Sequence, residues 1–217
     1  MAYWWNFARK NDKTFCKPQK VIEYIGKITH GNAIVTTDVG QHQMWAAQFY
    51  PFNVNGQWVT SGGLGTMGFG IPSAIGAQLA SPDKTVVCFV GDGGFQMTNQ
   101  EMALLPEYNL NVKIVLINNG TLGMVKQWQD MNYEGRHSSS YVDSLPDFPK
   151  LMEAYGHVGI QINHADELES KLAEAMAIND KCVFINVMVD RTEHVYPMQI
   201  AGQSMKDMWL GKGERTE

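Results

Sequence analysis

Apolar residues fall along this chain in two rhythms. In "PQKVIEYIGKITHG" (18–31), Val21, Ile22, Ile25 and Ile28 recur at helical spacing. Pro18 stands in the first turn and Gly31 just past the end, so the stretch predicts a helix. In "KTVVCFVGD" (84–92) and "VKIVLINN" (112–119) the apolar run is unbroken and rich in β-branched residues, as in strands covered on both faces. The same reading gives a strand over 33–40, a helix over 41–50 and a glycine-rich loop running into a small-residue helix over 59–80. A helix is predicted over 95–109, with Pro106 kinking its last turn. After residue 119 a long loop is expected. Then come a helix in "DFPKLMEAYG", a strand in "HVGIQI", a helix in "ADELESKLAEAMAIN" and a strand in "CVFINVMVD". Strand–helix alternation of this kind predicts an α/β fold, doubly wound, with a mostly parallel sheet and helices on both faces. Residues 18–190 are expected to form that domain, with 1–17 an N-terminal tail or linker and 191–217 a C-terminal tail segment.

In such sheets ligands bind outside the carboxyl ends of the strands. Polar and glycine residues cluster at three predicted strand ends, "TTDVGQH", "FVGDGG" and "INNGTLG". A helix cap, a phosphate-loop residue and a metal ligand all fit a lone Asp92 between glycines. A helix N-terminus favours an anion by roughly 0.3–1 kcal/mol, up to about 2 when partly buried. Asp92 is itself anionic, and at an effective dielectric near 20 its repulsion of a phosphate at contact is about 4 kcal/mol. A divalent cation between the two removes the conflict. Asn119 offers a side-chain carbonyl and the following turn a backbone carbonyl, which suits a hard cation such as Mg²⁺. The 24 residues between Gly93 and Asn118 have the length of one helix and one strand, so both segments end on the same sheet edge.

Composition narrows the alternatives. Of 217 residues, 44% are apolar and 18% charged, enough for a sizeable core and too few charges for a disordered chain. The net charge of −5 comes without a basic block, so neither nucleic acid nor an anionic membrane is expected as a partner. Cys16, Cys88 and Cys182 have no zinc or redox spacing, and Cys88 and Cys182, in apolar runs, read as buried free thiols. No apolar stretch is long enough to span a bilayer, and "MAYWWNFARK" lacks the order of a signal peptide. A cytoplasmic protein is expected, or one of an organelle stroma or matrix. The chain has no Walker lysine, no serine nucleophile elbow and no H-E-x-x-H motif. Asp38 and Glu101 are acids of a type that can pair, with nothing in their spacing to bring them together.

"GDG", about two dozen residues, then "NN" is similar to the cofactor motif of thiamine diphosphate enzymes. With "TDVGQHQMWAAQFYPF", "SGGLGTMGFGIP", "GMVKQWQDMNYEGRHSSSY", "EAYGHVGIQI" and "HVYPMQIAG", the chain from about Lys17 onward resembles the C-terminal, diphosphate-binding third of acetolactate synthase (acetohydroxyacid synthase) catalytic subunits. The resemblance implies that Asp92, Asn119 and the Thr121 carbonyl hold Mg²⁺. It implies a diphosphate and pyrimidine site formed by Val39, Gly40, Gln41, His42, Gly65, Met67, Asp92, Gly93, Gly94, Asn119, Thr121, Gly123, Met124 and Val125. Gln41 and His42 would donate to diphosphate oxygens. The catalytic pair would be Gly65, whose carbonyl takes the aminopyrimidine, and Met67, which props the cofactor into its bent form. Trp128 would wall the substrate channel, and Tyr133 to Asp143 would form a lid.

The activity implied is decarboxylation of pyruvate and joining of the hydroxyethyl unit to a second 2-keto acid, in branched-chain amino acid biosynthesis. FAD, a homodimer or tetramer and a regulatory small subunit are implied as well. The family's catalytic glutamate and its FAD site are expected in domains outside these 217 residues, and the chain by itself is expected to turn over little or nothing. Gly94 departs from the serine that related sequences often carry, and Gly120 and Thr121 stand where larger side chains are common. A sibling thiamine diphosphate enzyme, such as a glyoxylate carboligase or pyruvate oxidase, and a non-catalytic nucleotide-binding domain stay open as alternatives.

Overall fold

The computed structural model describes residues 15–142, 144–199, 202–204, 206–211, 214 and 215. Strands β1 (Ile34–Thr37), β2 (Trp58–Val59), β3 (Val86–Gly91), β4 (Val112–Asn118), β5 (Val158–Ile162) and β6 (Val183–Met188) form one sheet in the order β2-β1-β3-β4-β6-β5. Every pairing in it is parallel. The α/β expectation therefore holds.

Unbroken apolar strands serve two faces at once. Val87 and Phe89 of β3 join Val115, Ile117, Val183 and Ile185 on one face. Helices α1 (Pro18–Ile28), α2 (Gln41–Phe49) and α8 (Leu168–Ala177) cover that face with Val21, Ile22, Ile25, Trp45 and Leu172. Val86, Cys88 and Val90 join Val112, Ile114 and Leu116 on the other face. There α3 (Gly70–Ala80), α4 (Asp92–Thr98), α5 (Leu104–Glu107) and α7 (Phe148–Ala154) contribute Ile71, Phe95, Leu105 and Phe148. A period of two along each strand makes this division, and a slip of one residue would exchange the faces. All three cysteines are buried and free. Among the described residues no helix is long and apolar enough to cross a membrane.

Three expectations change. The helix predicted over 95–109 begins at Asp92 and is broken into α4, a 3-10 segment Asn99–Ala103 and α5. Pro106 falls inside α5, and without an N–H it cannot donate to the Met102 carbonyl in the 3-10 segment one turn back. Residues 123–132, expected in a long loop, form helix α6 (Gly123–Asn132). Met124, Trp128 and Met131 fall at helical spacing along it, while its buried residues, Lys126 and Gln127, are polar. The short edge strand β2 carried no signal of its own.

Residues 1–14 of the expected tail lie outside the described residues, but Cys16 is buried and bridged to Val189. Beyond β6 the chain forms a small antiparallel sheet of β7 (Met198–Gln199), β8 (Met208–Gly211) and β9 (Glu214–Arg215). Met198 and Trp209 dock it on Met44 of α2 and on Met124 and Met131 of α6. Asp130 ties the same region together. Its carboxylate accepts from Lys126 Nζ at 2.6 Å, His137 Nε2 at 2.6 Å and His194 Nε2 at 2.8 Å. Burial by itself would raise its pKa, but these three partners overcome burial and hold it down at about 2.

Two predictions follow from this packing. Phe95, fully buried, has its ring 5.4 Å from Phe148 and 4.8 Å from Phe184, centroid to centroid. Phe95→Ala is expected to cost about 3–5 kcal/mol, read from the midpoint of urea unfolding. Asp130 has a depressed folded pKa, so its contribution is complete above its unfolded value of 3.8 and is lost as pH falls toward about 2. Acid titration of tryptophan fluorescence should report this through Trp209, whose ring lies 6.4 Å from that of Trp128. In Asp130→Asn the step between about pH 4 and 2 should shrink; a step of unchanged size would count against the tether.

Candidate functional site

The sheet order reverses direction between β1 and β3: from β1 the chain crosses first to β2 on one side and then to β3 on the other. The carboxyl ends of neighbouring strands diverge at such a point and leave a crevice. Here a cavity of about 270 Å³ opens among the ends of β1, β3 and β4. Gln41, Asp92 and Gly123, the first residues of α2, α4 and α6, all line it. Three helix N-termini thus bring unpaired N–H groups and the positive ends of their dipoles to one place, which suits an anion.

Asp92 does not cap its own helix. The N-cap is Gly91, and the Asp92 side chain crosses to the next strand, where Oδ2 accepts from Gly120 N–H at 2.7 Å. Gly120 makes this turn at φ +64°, a left-handed conformation natural to glycine. Asp92 is 1% exposed. Burial raises its pKa to about 6, against the lowering effect of the Gly120, Gly93 and Thr121 N–H groups and the His42 ring. A carboxylate this poorly compensated calls for a cation. Among the described residues no three His, Cys, Asp or Glu side chains gather as a metal site. The set here is instead one carboxylate with neutral oxygens, a composition that fits Mg²⁺ completed by ligand oxygens and water.

All fourteen residues assigned to the cofactor from the sequence line this one cavity, among them Val39, Gly40, His42, Gly65, Met67, Gly94, Asn119, Thr121, Met124 and Val125. Asn119 Oδ1 accepts from Thr121 N–H at 3.0 Å and Thr121 Oγ1 at 2.9 Å, so the metal-ligand candidates hold one another. The side chain of Gln41 has a different task from the one expected. Its amide nitrogen donates to Gln127 Oε1 at 2.8 Å and to the Glu193 carbonyl at 3.2 Å, while its Oε1 accepts from Asn119 Nδ2 at 3.1 Å. Gln41 therefore orients Asn119, and the donors α2 leaves for an anion are its first backbone N–H groups. A Cβ on Gly123 would collide with Gln41 Oε1, so this contact needs glycine at the start of α6.

Trp128 is half-buried on α6 and stands against Trp209, away from the cavity lining. The expected lid, residues 133–142, leaves α6 and returns through an isolated bridge between Tyr141 and Thr121; Asp143 lies outside the described residues. Asp38 pairs with His42, not with Glu101. Sequence reasoning also missed Trp45, which lines the cavity and whose buried indole N–H has no hydrogen-bond partner among the described residues. Its position one helical turn after His42 was the available signal.

Comparison with known proteins agrees with this geometry. Residues 38–187 match the model for the thiamine pyrophosphate enzyme, C-terminal TPP binding domain. The chain is 60% identical over 202 residues to the acetolactate synthase isozyme 3 large subunit of Escherichia coli, covering 92% of this chain and 35% of that protein. It is 57% identical to the acetolactate synthase large subunit of Haemophilus influenzae, covering 90% and 34%, and 52% identical to that of Lactococcus lactis, covering 88% and 33%. The chain thus spans about a third of the length of these relatives. With the family model covering well over half of its residues, and a cavity that gathers three helix N-termini around one buried carboxylate, the chain belongs to the thiamine pyrophosphate enzymes through their C-terminal TPP-binding domain.

Proposed function

We propose that the chain is the diphosphate-binding domain of an acetolactate synthase that works with Mg²⁺. The observation that carries this reading is Asp92, buried between strand ends and beside Asn119 and Thr121 in a cavity made for an anion. Asp92, Asn119 Oδ1 and the Thr121 carbonyl would hold the metal. Coordination by Asn119 would compete with its contact to the Thr121 hydroxyl, which can rotate away. The N–H groups that open α2, α4 and α6 would take the diphosphate, with His42 beside them. Gly65 and Met67 would support the pyrimidine, and Met124 and Val125 would cover it. When bound, thiamine diphosphate supplies a thiazolium that serves as an electron sink for decarboxylating pyruvate.

In this reading the domain's own work is orientation and electrostatics. It holds the diphosphate end fixed, keeps water from the Asp92 carboxylate and presents Met67 as an apolar wall. The substrates are 2-keto acids, with pyruvate as donor and pyruvate or 2-oxobutyrate as acceptor. Trp128, beside the C-terminal sheet, would favour one acceptor. A regulatory small subunit, a dimeric or tetrameric assembly and an FAD site outside this chain complete the proposal.

Thiamine diphosphate titrated calorimetrically into the chain should bind with Mg²⁺ and not with a chelator, and Asp92→Ala should abolish the metal-dependent heat. At a hundredfold excess over Kd the bound pair should stabilise the chain by about 2.7 kcal/mol. Heat that is equal in chelator, or that survives in Asp92→Ala, would rule out this metal site. At pH 8 with chelator, Asp92→Asn should be at least as stable as the parent in urea, because the parent then buries an undercompensated charge. A clearly lower midpoint for the variant would show that the protein already compensates that charge.

A further inference from the structure

We propose that Asp38 is a positioning residue of this cavity: its carboxylate fixes the His42 ring and the Gly68 turn together, in space that glycine at position 94 leaves open. The inference rests on the proposed function for its meaning and on the geometry of this chain for its support. Asp38 follows the last residue of β1 and is fully buried. Its Oδ1 meets Nε2 of His42, the second residue of α2. Its Oδ2 accepts from Gly68 N–H at 3.2 Å, in the loop that carries Gly65 and Met67. One side chain thus joins the wall assigned to the diphosphate with the wall assigned to the pyrimidine.

The room for this contact is specific. A Cβ added to Gly94 would overlap Asp38 Oδ2 outright. The ring held by Asp38 is also tightly seated, since a Cβ on Gly91 would lie 2.8 Å from His42 Nδ1. With Nε2 engaged by Asp38, Nδ1 is the ring nitrogen left to meet a ligand, and it forms no hydrogen bond among the described residues. Asp38 is not itself one of the residues lining the cavity, and among the described residues it makes no hydrogen bond to Asp92, Asn119 or Thr121. It acts on a ligand only through the groups it holds.

Long-range ¹H–¹⁵N correlation spectra of the histidine rings test this in the chain without added ligand, with His42 assigned through His42→Gln. The expected result is a His42 Nε2–H shielded from exchange. Asp38→Asn and Gly94→Ala should each shift the His42 ring nitrogens while the backbone amide spectrum stays that of a folded protein. Titration of thiamine diphosphate with Mg²⁺ should then be weakened roughly 10–100-fold in both variants. Asp38→Ala combined with Gly94→Ala should regain melting temperature over Gly94→Ala, because the overlap is gone, without regaining affinity. A His42 ring indifferent to Asp38→Asn, or parental affinity in that folded variant, overturns the proposal. Should Asp38→Asn fail to fold, the parent ring decides: a protected Nε2–H supports the proposal and a freely exchanging one overturns it. A parent chain that binds no thiamine diphosphate would defeat the proposed function, and the ring spectra would still decide whether Asp38 holds His42.

Discussion

The hydrogen bond from Gly120 N–H to the Asp92 carboxylate spans two neighbouring strand ends, and the site depends on it. It forms only if β3 and β4 stop side by side. Their register pairs Val86 with Val112 and Gly91 with Ile117, and the apolar alternation along both strands sets it. Val86, Cys88 and Val90 must face one layer of helices while Val87 and Phe89 face the other. Shifting β3 by one residue would bury the wrong set on each face and carry Asp92 off the edge it now reaches. The hydrophobic alternation that stabilises the sheet therefore also aims the carboxylate. Phe95, three residues into the following helix, locks the same turn from below through Phe148 and Phe184.

Side-chain amides extend this order away from the strand ends. Gln41 receives Asn119 and donates to Gln127; Gln127 exchanges hydrogen bonds with the backbone of Val195. Gln127 is fully buried and Gln41 nearly so, so each unpaired amide atom would cost about 1–3 kcal/mol. The segment after β6 consequently helps to orient a candidate metal ligand without touching it. Such a chain of buried amides accepts few substitutions, because a group left half-satisfied is worse than an apolar one.

Much of this could be read from the sequence, and the failures have physical reasons. Strands β3 and β4 were plain because burial on both faces leaves an unbroken apolar run. Asp92 and Asn119, which both line the cavity, stood out because glycines and amides at strand ends are poor core material. Helix α6 was missed although Met124, Trp128 and Met131 recur at helical spacing; its buried residues, Lys126 and Gln127, are polar, and the stretch was read with the loop that follows it. The structural use of the Gln41 side chain could not be inferred, since its partners Gln127 and Glu193 lie 86 and 152 residues away. Asp38 was noticed as an acid with no partner assigned; its partner His42 follows four residues on, across the turn from β1 into α2.

Asp92 and Asp130 show how one residue type comes to serve two ends. Asp130 is surrounded by Lys126, His137 and His194, and its carboxyl is held at about 2. The protein supplies all the positive charge that group needs, so its place is structural: it fastens α6, the 133–142 segment and the C-terminal region to one another. Asp92 receives backbone N–H groups and the influence of a single imidazole, and burial still raises its carboxyl to about 6. Around it three helices direct their N-termini into the cavity, a field that attracts anions while the carboxylate repels them. A lone anion satisfies the helices and opposes Asp92; a lone cation does the reverse. A ligand that brings both, a phosphate group bridged by a divalent ion, satisfies every group at once. The folded chain carries that unresolved charge as a cost in stability, and strain of this kind collects where proteins bind and react rather than where they merely pack.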